Sequence, residues 1–205
     1  MVEPMIAGVH RDRSRTTRGD DDARFLKNWL KNPLRMGAVT PSGPILARRM
    51  AAYIDPLGTG PVVELGPGTG PVTKALIDRG VDQSRLVLVE FSGEFCRLLR
   101  ERFPKATVIQ GDAYTLKRTL AGRLNGPLDA VVSGLPLVTR PEPVRLALLH
   151  DAFDLLRPGA PFVQFTYAVV SPVPLKSGGF TAEPSERIWR NMPPARVWAY
   201  RKAAV

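Results

Sequence analysis

From residue 61 onward, the hydrophobic positions of the chain alternate between two patterns. Short, nearly continuous apolar runs are typical of strands that are buried on both faces of a sheet. They occur at residues 62–65, 86–90, 107–110, 128–133 and 161–167. Segments with the 3.6-residue period of an amphipathic helix separate them, at residues 72–79, 93–102, 114–121 and 144–156. Because strand and helix alternate, we predict right-handed crossovers and a doubly wound α/β fold with a mostly parallel sheet and helices on both faces.

The two ends of the chain depart from this alternation. Residues 1–22 are rich in Arg, Ser, Thr and Asp without an apolar period, and we predict a flexible tail. Residues 23–60 form a predicted amino-terminal unit of amphipathic helices, which serves as a membrane contact or as a lid over the cofactor, followed by a core domain at residues 61–205. At the carboxyl end, two basic and aromatic segments flank Met192-Pro193-Pro194 and predict a closing hairpin, with arms at residues 187–190 and 196–201.

The amino-terminal unit contains two predicted helices. In the first, one face is apolar and the other basic, which is typical of a cationic amphipathic helix. The apolar face has Phe25, Leu26, Trp29, Leu30 and Leu34, and the basic face has Arg24, Lys27, Lys31 and Arg35. The second helix follows Pro41, and we predict that Ile45, Leu46, Met50 and Tyr53 point inward.

Composition narrows the class of protein. The chain has 205 residues and a formal net charge of +10, and this length can bury one substantial core. A single Cys and two His exclude a disulfide framework and a zinc constellation, so no metal is expected. The sequence has no signal-peptide pattern and no apolar stretch long enough to span a bilayer, so we expect a cytoplasmic protein.

The basic charge predicts a polyanionic partner, either nucleic acid or an anionic membrane. Residues 1–60 contain ten basic and six acidic side chains, and residues 131–205 contain nine and five. Residues 61–130 are nearly balanced, with ten and eight. The excess at the two ends, beside amphipathic and aromatic segments, favours a membrane-facing rim.

Candidate chemistry begins where the first strand of the core runs into a glycine-rich turn, Gly66-Pro67-Gly68-Thr69-Gly70. Such a turn between strand and helix suits a dinucleotide, a phosphate or another adenosine cofactor. The glycine spacing is not that of the dinucleotide fingerprint, and no Lys follows as in a Walker loop. Glu64 adds a negative charge that would repel pyrophosphate but suits the cationic amino-acid end of S-adenosylmethionine.

Two more carboxylates follow at the ends of the next strands. Glu90 is placed to accept both hydroxyls of a ribose, Phe91 to face an adenine, and Asp112 to accept the adenine amine. Three acidic residues at consecutive strand ends converge on one crevice of a parallel sheet. Any one of them alone is better explained as an ordinary solvated carboxylate.

This series of motifs resembles the class I S-adenosylmethionine-dependent methyltransferases over residues 61–167. The resemblance implies a Rossmann-like sheet of seven strands, the last inserted antiparallel, with S-adenosylmethionine as cofactor and S-adenosylhomocysteine as product. It also implies a set of cofactor contacts, which are Met36, Thr40, Ser42, Glu64, Gly66, Pro67, Gly68, Gly70, Glu90, Phe91, Ser92, Gly111, Asp112, Ala113 and Ser133.

The methyl acceptor is expected at the end of the fourth strand. Enzymes of this class that methylate nucleobase amines carry Asn/Asp-Pro-Pro-Tyr or Asn-Leu-Pro-Tyr there, in which the Tyr stacks on the base. This chain has Ser133-Gly134-Leu135-Pro136-Leu137 and lacks that aromatic. Ser133 and nearby carbonyls can still orient an aliphatic amine; alternatively, this segment is only a strand-end turn.

A closer resemblance is to bacterial phospholipid N-methyltransferases, over about residues 25–202. It rests on Met36-Gly37-Ala38-Val39-Thr40-Pro41-Ser42, the Ser133–Pro136 strand end, Gln164-Phe165-Thr166-Tyr167 and Pro193-Pro194-Ala195-Arg196-Val197-Trp198. The family methylates phosphatidylethanolamine stepwise to phosphatidylcholine. Membership implies that Ser133, Gly134, Leu135 and Tyr167 form the catalytic set.

The same resemblance implies a monomer attached peripherally to the inner face of the plasma membrane, with an anionic membrane surface and no nucleic acid as partner. The predicted membrane and substrate contacts are Phe25, Lys27, Trp29, Leu30, Lys31, Arg35, Phe165 and Phe180. Aromatic faces bind alkylammonium groups, although Phe165 and Tyr167 also fit as core strand residues. Two alternatives stay open: an rRNA adenine N6-dimethyltransferase, and a non-catalytic module that binds membrane or RNA.

Overall fold

A seven-stranded sheet carries helices on both faces. The computed structural model describes residues 43–177 and 179–203. The strands are β1 (Val62–Leu65), β2 (Leu86–Glu90), β3 (Thr107–Gln110), β4 (Ala130–Ser133), β5 (Phe162–Thr166), β6 (Phe180–Pro184) and β7 (Arg196–Lys202). The helices are α1 (Pro44–Ala51), α2 (Pro71–Asp78), α3 (Gly93–Arg102), α4 (Leu116–Leu120) and α5 (Glu142–Leu155).

Several predictions fall on residues 1–42, outside the described residues. They are the tail at residues 1–22 and the cationic helix that follows it. The predicted cofactor contacts Met36, Thr40 and Ser42 lie there too. So do the predicted membrane contacts Phe25, Lys27, Trp29, Leu30, Lys31 and Arg35.

The strand order confirms the predicted Rossmann-like α/β sheet. The order is β3-β2-β1-β4-β5-β7-β6, in which β1 to β5 are parallel and β7 is antiparallel to both of its neighbours. The order reverses between β1 and β4, which is where ligands bind in open α/β sheets.

The predicted closing hairpin is correct in its second arm and wrong in its first. The first arm is β6, not residues 187–190, which lie beyond the sheet edge and contribute only the bridge between Ile188 and Ala195. An edge strand needs few apolar residues because one side of it faces solvent. The mostly exposed side chains of β6 therefore give a weak sequence signal.

Each face of the sheet carries its own hydrophobic cluster. Helices α1, α2 and α3 cover one face and α4 and α5 the other. Leu46 and Met50 of α1 are fully buried in the first cluster, so this helix packs with the core instead of standing apart from it. The inward orientation predicted for Ile45 is wrong, since Ile45 lies off the Leu46–Met50 stripe and is exposed.

Two properties of the described residues bear on function. Between Gly43 and Ala203, leaving out Gly178, no helix has the length and apolar character that crossing a bilayer demands. The same residues hold no group of three or more His, Cys, Asp or Glu side chains arranged to bind a metal ion.

Candidate active site at the carboxyl edge of the sheet

The parallel strands bring the predicted site residues to one edge. Backbone hydrogen bonds continue the sheet one residue past three strand ends. The Gly66 N–H donates to the Val89 carbonyl at 2.9 Å, the Gly134 N–H to the Leu65 carbonyl at 2.8 Å, and the Gly111 N–H to the Glu90 carbonyl at 3.0 Å. The three glycine turns, which are far apart in the sequence, therefore lie at the same edge of the sheet, and those after β1 and β4 are adjacent.

The turn after β1 is open at its centre and tightly packed at its end. Gly68 has a φ of 57°, and a Cβ added there would meet nothing within 4 Å. Gly70 has a φ of 84°, and a Cβ there would lie 2.5 Å from Cε2 of Phe103. Only glycine adopts such angles without strain. The turn thus has open space against its backbone at Gly68, which we call the cradle. Gly70 directly precedes α2.

Glu90 joins this turn to the helix after β2. One carboxylate oxygen accepts the Gly68 N–H at 3.1 Å, and the other accepts the Ser92 N–H at 2.9 Å. The side chain is almost fully buried, and burial raises its pKa although these N–H donors act in the opposite direction. Each oxygen keeps a second lone pair, so Glu90 can organise the turn and still accept from a ligand.

Glu64 lies beneath the glycine turn on the face covered by α2. The Thr73 hydroxyl donates to its carboxylate at 2.6 Å. Burial raises the pKa of Glu64 to about 7, and the nearby charge of Glu90 acts in the same direction. Thr73 was not among the predicted site residues; its position in the first turn of the helix after Gly70 is the signal that could have found it.

Asp112 and Phe91 lie where the adenosine end of the cofactor was predicted. Asp112 is half-buried, and its carboxylate accepts the Tyr114 N–H at 2.9 Å, which caps a short 3-10 turn. Phe91 follows β2 and is exposed. Ala113 is buried in the second cluster, so of these three residues it has the least surface for a ligand contact.

The strand end after β4 is where the acceptor site is predicted. Ser133 is buried, and its hydroxyl accepts the Leu135 N–H at 3.3 Å. A Cβ on Gly134 would lie 2.9 Å from the Gly66 carbonyl oxygen, so the two turns are in close contact. Leu137, at the position of the missing aromatic, is buried in the core and presents no face to a substrate.

Gln164 is a site residue that sequence reasoning did not select. It lies beside Ser133 in β5, and its amide donates to the Leu135 carbonyl at 3.0 Å and to the Phe165 carbonyl at 2.8 Å. Its side-chain oxygen is buried and has no partner among the described residues. One polar residue within the apolar strand Phe162–Thr166 is the signal that could have revealed it.

Two of the three predicted aromatic residues, Phe165 and Tyr167, lie together, and Phe180 lies apart from them. Tyr167 is partly buried at the end of β5, and burial raises its pKa to about 12. Phe165 is buried in the first cluster and packs edge to face on Tyr167, with ring centroids 5.3 Å apart. The substrate contact predicted for Phe180 is wrong. Phe180 pairs with Lys202 at the opposite edge of the sheet and packs on Phe153 and Tyr200.

Gly134→Ala tests the close contact between the two turns. The new Cβ would press on backbone atoms of Gly66 and Leu65, which have no rotamer by which to escape. We expect a loss of about 1–3 kcal/mol in unfolding free energy, typical of overpacking, and weaker cofactor binding, measured by urea unfolding and calorimetry. Gly93→Ala is the control, since its Cβ would meet only the exposed Gln110 side chain. Equal stability of the two variants would contradict the prediction.

Comparisons with known proteins agree with the fold and the site. A family model described as "Methyltransferase domain" matches residues 62–159. The solved structure of an O-methyltransferase from Bacillus cereus in complex with SAH has a TM-score of 0.60 and 16% identity, covering 92% of this chain and 94% of that one. CcbJ methyltransferase from Streptomyces caelestis has a TM-score of 0.59 and 18% identity, covering 82% and 92%. The fold is thus that of a methyltransferase domain.

Relatives with higher identity identify the family. An ornithine lipid N-methyltransferase of Singulisphaera acidiphila is 36% identical over 145 residues, which cover 69% of this chain and 76% of that protein. A ribosomal RNA small subunit methyltransferase A of a Synechococcus species is 34% identical over 136 residues, covering 60% and 43%. The chain belongs to the class I S-adenosylmethionine-dependent methyltransferases, and within that class it is similar to a lipid N-methyltransferase.

S-adenosylmethionine is the cofactor, and the described residues fit it. The open cradle at Gly68 lets a ligand lie against the backbone. Beside it, Glu90 has acceptor capacity for hydroxyl groups, and Glu64 can offset a cationic group when it is ionised. The individual roles of Glu64, Glu90 and Asp112 stay predictions.

Proposed function

We propose that this enzyme transfers methyl groups to the amine of phosphatidylethanolamine and of its mono- and dimethyl derivatives, towards phosphatidylcholine. The observation that carries the proposal is the 36% identity to an ornithine lipid N-methyltransferase over 76% of that protein's length. That relative's name also makes the amine of an ornithine lipid a second candidate acceptor.

The acceptor site supports an aliphatic amine over a nucleobase. A base amine needs a flat platform for stacking, whereas Leu137 is buried and Ser133 and Gly134 are small. The rRNA methyltransferase relative favours the nucleobase alternative, but this chain spans less than half of that protein's length. An aliphatic amine can use the polar backbone of the turn without a stacking partner.

The described residues orient the acceptor amine and exclude water from the site of methyl transfer. When bound, S-adenosylmethionine supplies a methyl group on a positively charged sulfur, so a neutral amine needs alignment more than a strong base. The carbonyl of Gly134 is an acceptor that can orient amine hydrogens, whereas the Leu135 carbonyl already accepts from the Gln164 amide and from the Leu137 N–H and shapes the turn. Tyr167 stays protonated at neutral pH because its pKa is about 12, so it acts as a donor there and not as a base.

The proposal includes attachment to the inner face of the plasma membrane by a monomeric enzyme, with no nucleic-acid partner. The amphipathic pattern of residues 23–35 supports it, since apolar side chains can enter the headgroup boundary while basic ones meet lipid phosphates. Four basic residues, each contributing about 1 kcal/mol near an anionic surface, would give reversible binding.

The test is methyl transfer from labelled S-adenosylmethionine to three acceptors in parallel. They are anionic vesicles with phosphatidylethanolamine, vesicles with an ornithine lipid, and small ribosomal subunits. We expect label in phosphatidylethanolamine, with products followed by mass analysis of the lipids. Label in the ornithine lipid alone would keep the lipid class and replace the substrate, whereas label in ribosomal RNA alone would overturn the proposal.

A further inference from the structure

A second surface near the acceptor site exposes apolar side chains. We call it the edge surface and define it as residues 168–170 and 187–192. Trp189 is 74% exposed, Val169 71% and Val170 70%. Contiguous exposed apolar side chains with basic neighbours are typical of binding surfaces.

The edge surface lies beyond the carboxyl ends of the parallel strands, as the predicted acceptor site does. Thr166, the last residue of β5, pairs with Arg196, the first residue of β7. The hairpin bridge between Ile188 and Ala195 extends beyond that pair. Arg187 joins the two halves of the surface, donating to the carbonyls of Tyr167 and Pro194 at 3.4 Å each. A partner docked here would therefore meet the carboxyl ends of the strands, next to Tyr167.

A buried polar residue supports the exposed side chains from below. Asn191 is buried; its amide donates to the Pro193 carbonyl at 2.7 Å, and its side chain hydrogen-bonds to Tyr167. A Cβ on Gly43, the first described residue, would lie 2.9 Å from Oδ1 of Asn191. The described chain thus begins at the edge surface, and the segment proposed to contact the membrane precedes it in sequence.

The edge surface has a net positive charge. Its ranges contain Arg187 and Arg190, exposed Glu186 adjoins them in the chain, and neither arginine forms an ion pair with any described residue. The Arg187 guanidinium lies 5.5 Å from the ring centroid of Trp189. Arginine binds phosphate oxygens through two parallel hydrogen bonds, and tryptophan is enriched where an apolar layer meets water.

We propose that the edge surface docks on the headgroup layer of an anionic bilayer, with Trp189, Val169 and Val170 entering the boundary and the exposed Arg190 binding lipid phosphates. A bilayer presents phosphate groups and an apolar layer next to each other, whereas nucleic acid has no apolar layer for the two valines. Docking in this orientation turns the acceptor turn after β4 towards the lipid amines. This inference deepens the proposed function and rests on it for the identity of the substrate.

The experiment measures binding of the full chain to vesicles of phosphatidylethanolamine and phosphatidylglycerol by co-sedimentation. One variant removes apolar character by Trp189→Ala with Val170→Ser, and another reverses charge by Arg190→Glu. The matched controls change equally exposed residues at the opposite edge of the sheet, by Leu57→Ser and Arg123→Glu. We expect partitioning to fall at least about fivefold for each edge-surface variant and less than about twofold for the controls.

A second measurement separates this inference from the proposed function. With short-chain phosphatidylethanolamine dispersed as monomers below its critical micelle concentration, where no headgroup layer is present, all four variants should methylate lipid at the wild-type rate. Equal partitioning of edge-surface and control variants would overturn the inference even if lipid is methylated. Conversely, selective loss of partitioning by the edge-surface variants, with no lipid methylated by the wild type, would support the surface and reject the substrate. If Arg190→Glu weakens binding to RNA but not to vesicles, the edge surface is not a membrane contact.

Discussion

Replacing Glu90 with alanine should weaken binding of S-adenosylmethionine by about 1–3 kcal/mol, because the predicted hydrogen bonds to the ribose hydroxyls are lost. The structure adds a second effect. The half-buried N–H groups of Gly68 and Ser92 lose their acceptor, and each lost hydrogen bond costs about 0.5–1.5 kcal/mol of folding stability. The turn after β1 and the start of α3 should both loosen. Calorimetric titration and urea unfolding measure the two effects separately.

Glu94→Ala is the matched control for this variant. Glu94 is in the first turn of α3, four residues from Glu90, and is exposed. It should leave cofactor affinity within about twofold of the wild type, since an exposed charge at a helix start contributes little. If Glu90→Ala also stays within that range, Glu90 does not contact the ribose and its role is confined to the two backbone donors.

Replacing Glu64 with glutamine should stabilise the cofactor-free protein above pH 7 and remove the contribution of this residue to the pH dependence of the unfolding free energy. The ordinary pKa of the glutamate is 4.5, and burial raises it to about 7 in the folded protein. Between those values the unfolded chain releases the proton while the folded protein keeps it, so stability falls as pH rises through this window. The loss amounts to about 3 kcal/mol above pH 7. Glutamine keeps an acceptor for Thr73 and carries no charge.

The measurement is urea unfolding of both proteins at pH 5 and pH 8. The wild type should lose stability relative to Glu64→Gln as pH rises, and the variant should bind S-adenosylmethionine more weakly because it cannot ionise. Thr73→Val provides a directional check, since removing the hydroxyl that donates to Glu64 should raise its pKa further. An identical pH dependence in wild type and Glu64→Gln would show that Glu64 titrates as an ordinary surface carboxylate.

Sequence reasoning recovered the parallel core because its strands are buried on both sides. A strand such as Val62–Leu65 or Leu86–Glu90 must be almost continuously apolar, and the structure places both within the predicted bounds. The side chains of the edge strand β6 need not be apolar, so the sequence pattern predicts the first arm of the closing hairpin at residues 187–190 instead of at β6. The wrong site prediction at Phe180 has the same origin, because it depended on which way the chain runs between β5 and β7.

The candidate site also contains some residues that the sequence predicts and others that it does not. Spacing alone predicted the glycine turn and the carboxylates at successive strand ends, because each is a local consequence of where a strand stops. Gln164 and Thr73 act through residues of other elements, Leu135 and Glu64, so no short sequence pattern marks them. Residues whose role is a contact with another helix, strand or turn can be recognised only after the tertiary structure has placed the two elements together.

The sequence by itself determined the class of this protein: a methyltransferase core with an S-adenosylmethionine crevice and a surplus of basic charge at both ends. Burial of strands and the conformational demands of glycine turns are local, so they can be found in sequence order. Only the tertiary structure decided that Gly134 lies against Gly66, that Leu137 faces the core, and that Arg187, beside Trp189, donates to the Tyr167 carbonyl. These facts depend on strand register and on the antiparallel insertion of β7, which bring together residues that are distant in the chain.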